Sequence, residues 1–288
     1  MNNPLFVRPR TLEEALLVLA SDPLGFVPLV GGTDLLVRMQ DGLRPKGLLD
    51  LTAIAELVGI TVADGMVRIG AATTHAEIAS SREVQTLLPA LAEAAALVGS
   101  PAIRNRGTIG GNLANASPAA DTVPPLLALS ALVELAGPRG RRTVPVEAFA
   151  VGPGKTVRRP DELIVAVAVP VPGPMASSVF CRLGTRQALS IAKVSVALAA
   201  QRDGPCLRQV RVALGAVGPT VLRATGAEAC LEGKEPSLEV LDEAAIKVQA
   251  DARPISDIRS TEAWRRRMCG VLLRRAVLRL VGQGQAAP

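Results

Sequence analysis

Two glycine pairs in this chain sit where the backbone, rather than side chains, could do the chemistry. The first is in "PLVGGTDLLVRM", where Gly31 and Gly32 follow an apolar run and precede Thr33 and Asp34. The second is in "RNRGTIGGNLANASPAAD", Arg104 to Asp121, which holds three glycines, three asparagines, two hydroxyl residues and one carboxylate. Almost nothing in that stretch exchanges a proton near neutral pH, so binding is its expected task. Glycine lets the main chain approach a ligand and adopt positive φ, so that successive N–H groups converge on one anion. A pyrophosphate is such an anion, and each charge-assisted hydrogen bond contributes about 1.5–3 kcal/mol. Three or four of them offset the lack of a nearby lysine. Both loops are expected to offer N–H groups, with Thr33 assisting on one side and Thr108 and Asn112 on the other. For either pair alone, a tight turn between elements is the plainer alternative.

Asp121, nine residues after Asn112, has two readings. It could accept hydrogen bonds from a ribityl chain or ribose, or it could cap a helix beginning at "TVPPLLAL". Local chemistry leaves both open. His75, the chain's only histidine, follows Thr73 and Thr74. It reads as a catalytic candidate or, more simply, as a helix-start residue with no chemical role.

A single histidine argues against a His-rich metal site or a Ser-His-Asp triad. Cys181, Cys206, Cys230 and Cys269 are too far apart for a CxxC site and read as free thiols in a reducing compartment. No G-x-G-x-x-G follows the first strand, and no P-loop is present. With four Phe, one Trp and no Tyr, platforms for stacking nucleic-acid bases are scarce. No apolar run reaches the ~18 residues of a membrane span, and no signal peptide opens the chain. A cytoplasmic protein is therefore expected. The net charge is +6, and Arg265, Arg266, Arg267, Arg274, Arg275 and Arg279 cluster near the C-terminus. They read as the solvated face of an amphipathic helix, with docking to an acidic partner protein as the second reading.

The elements that must hold these residues follow from pattern. Thr11 and Glu14 have capping-box spacing before Leu12, Leu16 and Leu19, which predicts a helix over 11–21. "FVPLVGG" and "KGLLDLT" read as buried strands. "LVGITVADGMVRIGAATT" is a strand pair turning at Asp64-Gly65. An Ala/Leu-rich helix is expected over 83–98, and the segment after it as a long loop. "ALVELAG", "RRTVPV" and "ELIVAVAVP" predict three strands. The proline-rich "VPVPGPMASS" (169–178) marks a domain boundary. Beyond it lie two strands, "SIAKVSVALAAQ" and "LRQVRVALGAV", joined at Asp203-Gly204, and helices near 225–232, 238–250 and 261–281. The class is α+β. At 288 residues roughly 75% of the unfolded surface can be buried, so disulfide staples are unnecessary.

"PLVGGTDLL", "IGAATTHAEI", "IRNRGTIGGNLANASPAAD" and "DELIVAVAVP" occur in the order seen in the FAD-binding subunits of molybdenum hydroxylases, the family of carbon monoxide and xanthine dehydrogenases. "LGAVGPTVLRATGAEACLEG" and "ISDIRSTEAWRRRMCGVLLRRAV" resemble that family's final domain, so the resemblance spans essentially the whole chain. It implies a two-subdomain FAD-binding domain of the vanillyl-alcohol-oxidase/PCMH type over 1–173 (subdomains about 1–55 and 56–173). A small α+β domain of the CO dehydrogenase flavoprotein type would follow over 174–288. Val30, Gly31, Gly32, Thr33 and Asp34 would wrap the pyrophosphate, and Thr73 and Thr74 would line the same site. Thr108, Ile109, Gly110, Gly111 and Asn112 would lie against the cofactor from the second subdomain. Asp121 would bind the flavin's sugar-like chain, and Leu163 would give a backbone contact to the ring. Arg182 in "FCRLGTR" stands where relatives often carry lysine near the ring, and arginine keeps the charge but not the shape. The family's tyrosine beside the flavin has no counterpart here.

The implied activity is electron transfer. Substrate is oxidised at a molybdenum cofactor, electrons pass through [2Fe–2S] clusters, and non-covalently bound FAD delivers them to an acceptor. Clusters and molybdopterin would belong to a small and a large partner subunit, in a dimer of heterotrimers. Purines, N-heterocycles, aldehydes and carbon monoxide are all compatible substrates, and NAD, quinone and dioxygen compatible acceptors. The alternatives are a stand-alone FAD oxidase or reductase with its own substrate site, and a scaffolding protein that lost the cofactor.

Overall fold

The computed structural model describes residues 4–186 and 189–282. The chain opens with β1 (Leu5–Val7), α1 (Leu12–Ser21), β2 (Phe26–Leu29), α2 (Leu35–Gln40) and β3 (Gly47–Asp50). The strands form a parallel sheet in the order β1-β3-β2. α1 starts where the sequence predicts: the Thr11 hydroxyl accepts from Glu14 N–H at 3.2 Å, and Arg10 N–H donates to the Glu14 carboxylate at 2.7 Å. Leu12, Ala15 and Leu19 are buried beneath it with Leu49 and Leu51.

β4 (Ile60–Ala63) and β5 (Met66–Gly70) form the expected hairpin, with Asp64 at φ 51° and Gly65 at φ 72°. Positive φ at both turn residues matches the right-handed twist of the flanking strands. Three helices follow, α3 (His75–Ser80), α4 (Arg82–Leu87) and α5 (Pro89–Leu97). The single helix expected over 83–98 is thus broken at Leu88, because Pro89 lacks an N–H and disfavours helical backbone before it. The long loop expected after it instead holds α6 (Pro101–Arg104) and α7 (Ile109–Asn115), and α8 (Val123–Ala128) comes next. Gly110 and Gly111 lower intrinsic helix propensity, but tertiary hydrogen bonds fix α7.

β6 (Leu132–Gly137), β7 (Gly140–Pro145), α9 (Val146–Phe149), the small pair β8 (Ala150–Gly152) and β9 (Lys155–Thr156), and β10 (Leu163–Pro170) complete this part. The antiparallel order is β4-β5-β10-β6-β7. Central β10 is buried over seven of its eight residues, and α5 and α8 pack into the same core.

β11 (Ala176–Leu183) begins inside the proline-rich segment and was not expected as a strand. With β12 (Val194–Asp203), β13 (Cys206–Gly215) and β14 (Leu222–Arg223) it forms an antiparallel sheet. α10 (Thr225–Leu231), α11 (Leu238–Asp251) and α12 (Glu262–Gly282) cover it, close to the three predicted helices. The arginines of α12 are not simply a solvated face. Arg265 is 5% exposed and reaches Asp257 at 2.5 Å and the Ala216 carbonyl at 3.3 Å. Arg266, Arg274 and Arg279 pair with Glu262, Asp242 and Glu93, whereas Arg267 and Arg275 are exposed. Among the described residues no helix is long and apolar enough to cross a membrane, and no cluster of three metal-ligating side chains occurs.

Candidate functional site

A cavity of about 400 Å³ opens between the parallel sheet and the five-stranded sheet. Its apolar wall comes from β2 (Val27, Pro28, Leu29), Leu51, Leu57 and the start of β10 (Leu163, Ile164). Its polar wall comes from both glycine turns. Val30 to Asp34 line it in full, and Thr108, Gly110, Gly111 and Asn112 line it from across. Residues about eighty positions apart therefore converge, as the sequence suggested they should.

Backbone hydrogen bonds join the second turn to the segment that follows β5, and the first turn packs against its entry at Arg106. Gly110 N–H donates to Ala71 O at 2.9 Å, Ile109 N–H to Thr73 O at 3.1 Å, and His75 N–H to Gly107 O at 2.9 Å. A Cβ on Gly31 would stand 1.9 Å from the Arg106 carbonyl oxygen, so only glycine permits this approach. Gly32 has φ +73°, the left-handed region that favours glycine. The Asn115 amide donates to Asp34 Oδ1 at 3.0 Å and ties α7 to the first turn.

The N–H groups of the second turn depart from expectation. Ile109 and Gly110 are used as above, Gly111 N–H donates to Thr108 Oγ1 at 3.2 Å, and Asn112 N–H donates to Thr108 O at 2.9 Å. Of the N–H groups there, only that of Thr108 has no acceptor among the described residues. The first turn differs, since the N–H groups of Gly31, Gly32, Thr33 and Asp34 have no acceptor among the described residues. From the second turn, Thr122 Oγ1 donates to Asn112 Oδ1 at 2.7 Å. That bond turns the Asn112 amide so that its NH₂ is the end available to a ligand.

Several expected site residues lie off the cavity. Thr73 is fully buried, its hydroxyl accepting from Gly59 N–H at 2.9 Å and donating to Gly59 O at 3.1 Å. Thr74 closes a capping box with Glu77 at the start of α3. Ile109 is core. Asp121 caps nothing, because the position before α8 is Thr122 and it makes no side-chain cap bond. Instead the Asp121 carboxylate takes a hydrogen bond from Arg182 at 2.6 Å, and Arg182 also donates to Leu97 O at 3.0 Å. Both side chains are nearly buried, at 10% and 4% exposure. Burial pushes the Asp121 carboxyl up to about 6 even with Arg182 beside it, and its Oδ1 is buried with no partner. Leu97, the residue whose carbonyl Arg182 holds, precedes Val98, which lines the cavity.

Sequence reasoning missed four charged or polar members of the wall, Arg38, Asn115, Arg158 and Glu162, and gave His75 no place in it. Arg38 is four residues after Asp34, the one pattern that could have signalled it. Burial raises the Asp34 carboxyl, with Arg38 opposing. Glu162 is held down to about 2, first by hydrogen bonds from Arg142, each 2.8 Å long. Arg158 is pushed down by burial and spends its Nη1 on the carbonyls of Arg159 and Glu162.

This geometry accommodates an elongated ligand with an apolar part and an anionic part. Residues 2–172 match the family described as "FAD binding domain in molybdopterin dehydrogenase", and residues 180–280 match "CO dehydrogenase flavoprotein C-terminal domain". The chain is 34% identical over 273 residues to a putative xanthine dehydrogenase FAD-binding subunit of Escherichia coli, covering 94% of this chain and 93% of that one. It is 34% identical over 270 residues to the carbon monoxide dehydrogenase medium chain of Hydrogenophaga pseudoflava, covering 93% and 94%. A solved structure of carbon monoxide dehydrogenase from Hydrogenophaga pseudoflava superposes with a TM-score of 0.92 over 96% of both chains.

Proposed function

We propose, given that this chain belongs to the FAD-binding subunit family of the molybdopterin dehydrogenases, that it is the electron-relaying flavoprotein of a multi-subunit molybdenum hydroxylase. Residues 1–173 would form the FAD-binding domain and 174–288 the C-terminal domain. A small [2Fe–2S] subunit and a large molybdopterin subunit would complete a heterotrimer, two of which pair. The observation that carries the reading is the first glycine turn, whose four N–H groups have no acceptor among the described residues and whose residues line a cavity walled on its other side by the second turn.

The residues fit the cofactor. The Gly31–Asp34 N–H groups would hold the pyrophosphate, the Asn112 amide would add a donor, and β2 and Leu163 would give apolar contact. Asp121 lies off the cavity, with one carboxylate oxygen fixed by Arg182 and the other buried without a partner, so accepting from hydroxyls of the ribityl chain would require the cavity to open toward it on binding. When bound, FAD supplies the ability to exchange electrons singly or in pairs, so it can join iron–sulfur carriers to a two-electron acceptor. The protein's part is to bind, orient and exclude water.

The wall offers few groups for substrate acid–base work: Asp34, which already takes a hydrogen bond from the Asn115 amide, His75 and Glu162. His75 is buried and neutral, and Glu162 is locked by Arg142. The chain alone should therefore oxidise no organic substrate, while its flavin should bleach when substrate is added anaerobically to the assembled subunits. Bleaching by substrate with this chain alone would overturn the relay reading in favour of a stand-alone oxidase. Acid precipitation should release all yellow colour to the supernatant, since FAD would be held without a covalent bond. Colour retained in the pellet would contradict that.

A further inference from the structure

The chain's single histidine carries an inference that rests on the FAD reading above. His75 is 2% exposed, opens α3 and forms part of the cavity wall. Its ring is held close to the first glycine turn. A Cβ placed on Gly107 would lie 3.2 Å from the ring's Cδ2 and 3.5 Å from the Thr33 hydroxyl, so ring and hydroxyl crowd one point. The Nδ1 atom is buried without a partner.

A histidine kept only for packing has its buried nitrogen hydrogen-bonded in the great majority of proteins. Here neither ring nitrogen has a hydrogen-bond partner among the described residues, and the same ring borders the cavity where an anion is expected. Burial, with the positive charge of Arg104 adding, pushes the imidazole down to about 4, so the ring is neutral at pH 7. A neutral ring has one N–H. Orphaned buried N–H groups are rarer than orphaned acceptors, so the proton is placed on Nε2 and the buried Nδ1 is left as the acceptor. Nε2 adjoins Cδ2, the edge that meets Gly107 and the Thr33 side of the cavity.

We propose that His75 is a cofactor-binding residue whose uncharged Nε2–H donates to a phosphate oxygen of FAD beside Thr33. The first turn, with the Thr108 N–H, would then hold the anion by backbone N–H groups, and His75 would add a rigid side-chain donor from the second subdomain. An uncharged donor is suited to this position, because Arg38 and Arg158 already bring positive charge to the wall.

Because the chain has one histidine, ¹⁵N-histidine labelling gives imidazole signals that need no further assignment. At pH 7 they should report the neutral Nε2–H form. Adding FAD or ADP to the cofactor-free chain should shift that N–H and slow its exchange with water, whereas riboflavin, which lacks phosphate, should leave it unmoved. His75→Phe should weaken FAD binding about tenfold, the scale of one hydrogen bond to a charged group, without lowering the melting temperature of the cofactor-free chain. His75→Gln, whose amide nitrogen falls near Nε2, should recover most of the affinity, and His75→Asn should not. Imidazole signals indifferent to saturating FAD would overturn the proposal. So would a phenylalanine variant that binds FAD as tightly as the parent. If that variant does not fold, the titration of the parent chain decides alone. A parent chain that binds no FAD at all removes the functional reading itself, a different failure from one confined to His75.

Discussion

The two glycine turns face one another across the cavity, yet they use the same dipeptide for different physical ends. In the first, Gly31 lets the backbone come against the Arg106 carbonyl, Gly32 takes a left-handed φ, and the N–H groups remain free. In the second, every N–H from Ile109 to Asn112 is bonded within the fold, and Gly110 is pressed against Ala71, where a Cβ would lie 2.7 Å from both its Cβ and its carbonyl oxygen. The first turn is a donor array. The second is a wall whose glycines permit packing and whose Asn112 side chain supplies polarity. A Gly-Gly pair thus identifies a place where backbone comes close to something, but not whether that something is a ligand or another strand.

Substitutions can break this contrast, and they rank by their effect on the stability of the cofactor-free chain. Gly31→Ala should be the most damaging, since its Cβ would overlap a carbonyl oxygen that cannot rotate away. A loss above about 3 kcal/mol is expected, seen as poor soluble yield or a sharply lowered melting temperature. A melting temperature within a degree of the parent would show that the turns part easily. Gly110→Ala comes next, at about 1–3 kcal/mol for an overpacked contact, because one of its two neighbours is a movable methyl group. Chemical denaturation of the cofactor-free protein measures it, and FAD affinity should fall only in step with stability.

A pH series reads the polar groups beside each turn. Burial raises the Asp121 carboxyl to about 6, so its contribution to stability is present below about pH 4 and lost as pH rises through 6. His75 is depressed from 6.5 to about 4, so it contributes the opposite slope, with stability gained as pH rises across that window. In the parent these slopes oppose. Asp121→Asn removes one of them, so the melting temperature of the cofactor-free variant should climb more steeply between pH 4 and 6.5. Parallel curves for parent and variant would show that Asp121 ionises normally, and that Arg182 fully offsets its burial.

Gly111→Val should have the smallest effect on stability and the largest on binding. Gly111 is exposed to the cavity, and its Cβ would meet only Thr108 Oγ1 at 3.1 Å. A branched side chain there occupies ligand space rather than core. FAD binding should be abolished at micromolar cofactor with the cofactor-free melting temperature little changed. Retained binding would move the cofactor away from the second turn.

What the sequence made legible was local. The Thr11 cap, the Asp64-Gly65 hairpin and the three C-terminal helices each follow from signals within a dozen residues, and each formed. The misses depended on partners far along the chain. α7 looked like loop because its glycines are poor helix formers, and only the bonds to Ala71 and Thr73 explain it. β11 was hidden by small and polar residues whose partners lie on α5, such as Ser178, whose hydroxyl accepts from Ala90 N–H at 3.2 Å. Arg265 carries the same type of side chain as its neighbours Arg266 and Arg267, and only the fold assigns it to the interior. At the site, the glycine turns were readable as candidates for binding. That one kept its donors unused from Gly31 to Asp34 while the other spent them from Ile109 to Asn112 was not, because it depends on which strand each turn lies beside.

The seam between α5 and the C-terminal sheet has a consequence for how the polypeptide would respond to being cut. Ser178 receives Ala90 N–H, Glu93 accepts from Phe180 N–H at 3.1 Å, and Arg279 bonds the Phe180 carbonyl at 2.9 Å and Glu93 at 2.6 Å. Arg182 adds its grip on Asp121 and Leu97. The covalent link across this seam, residues 171–175, contributes none of these bonds. A protease that nicks the link should therefore leave two fragments travelling as one particle in size-exclusion chromatography, and a gene split there should yield halves that find each other. The link sets the order of synthesis, while the buried Arg182–Asp121 pair and the backbone-to-side-chain bonds between β11 and α5 keep the pieces together.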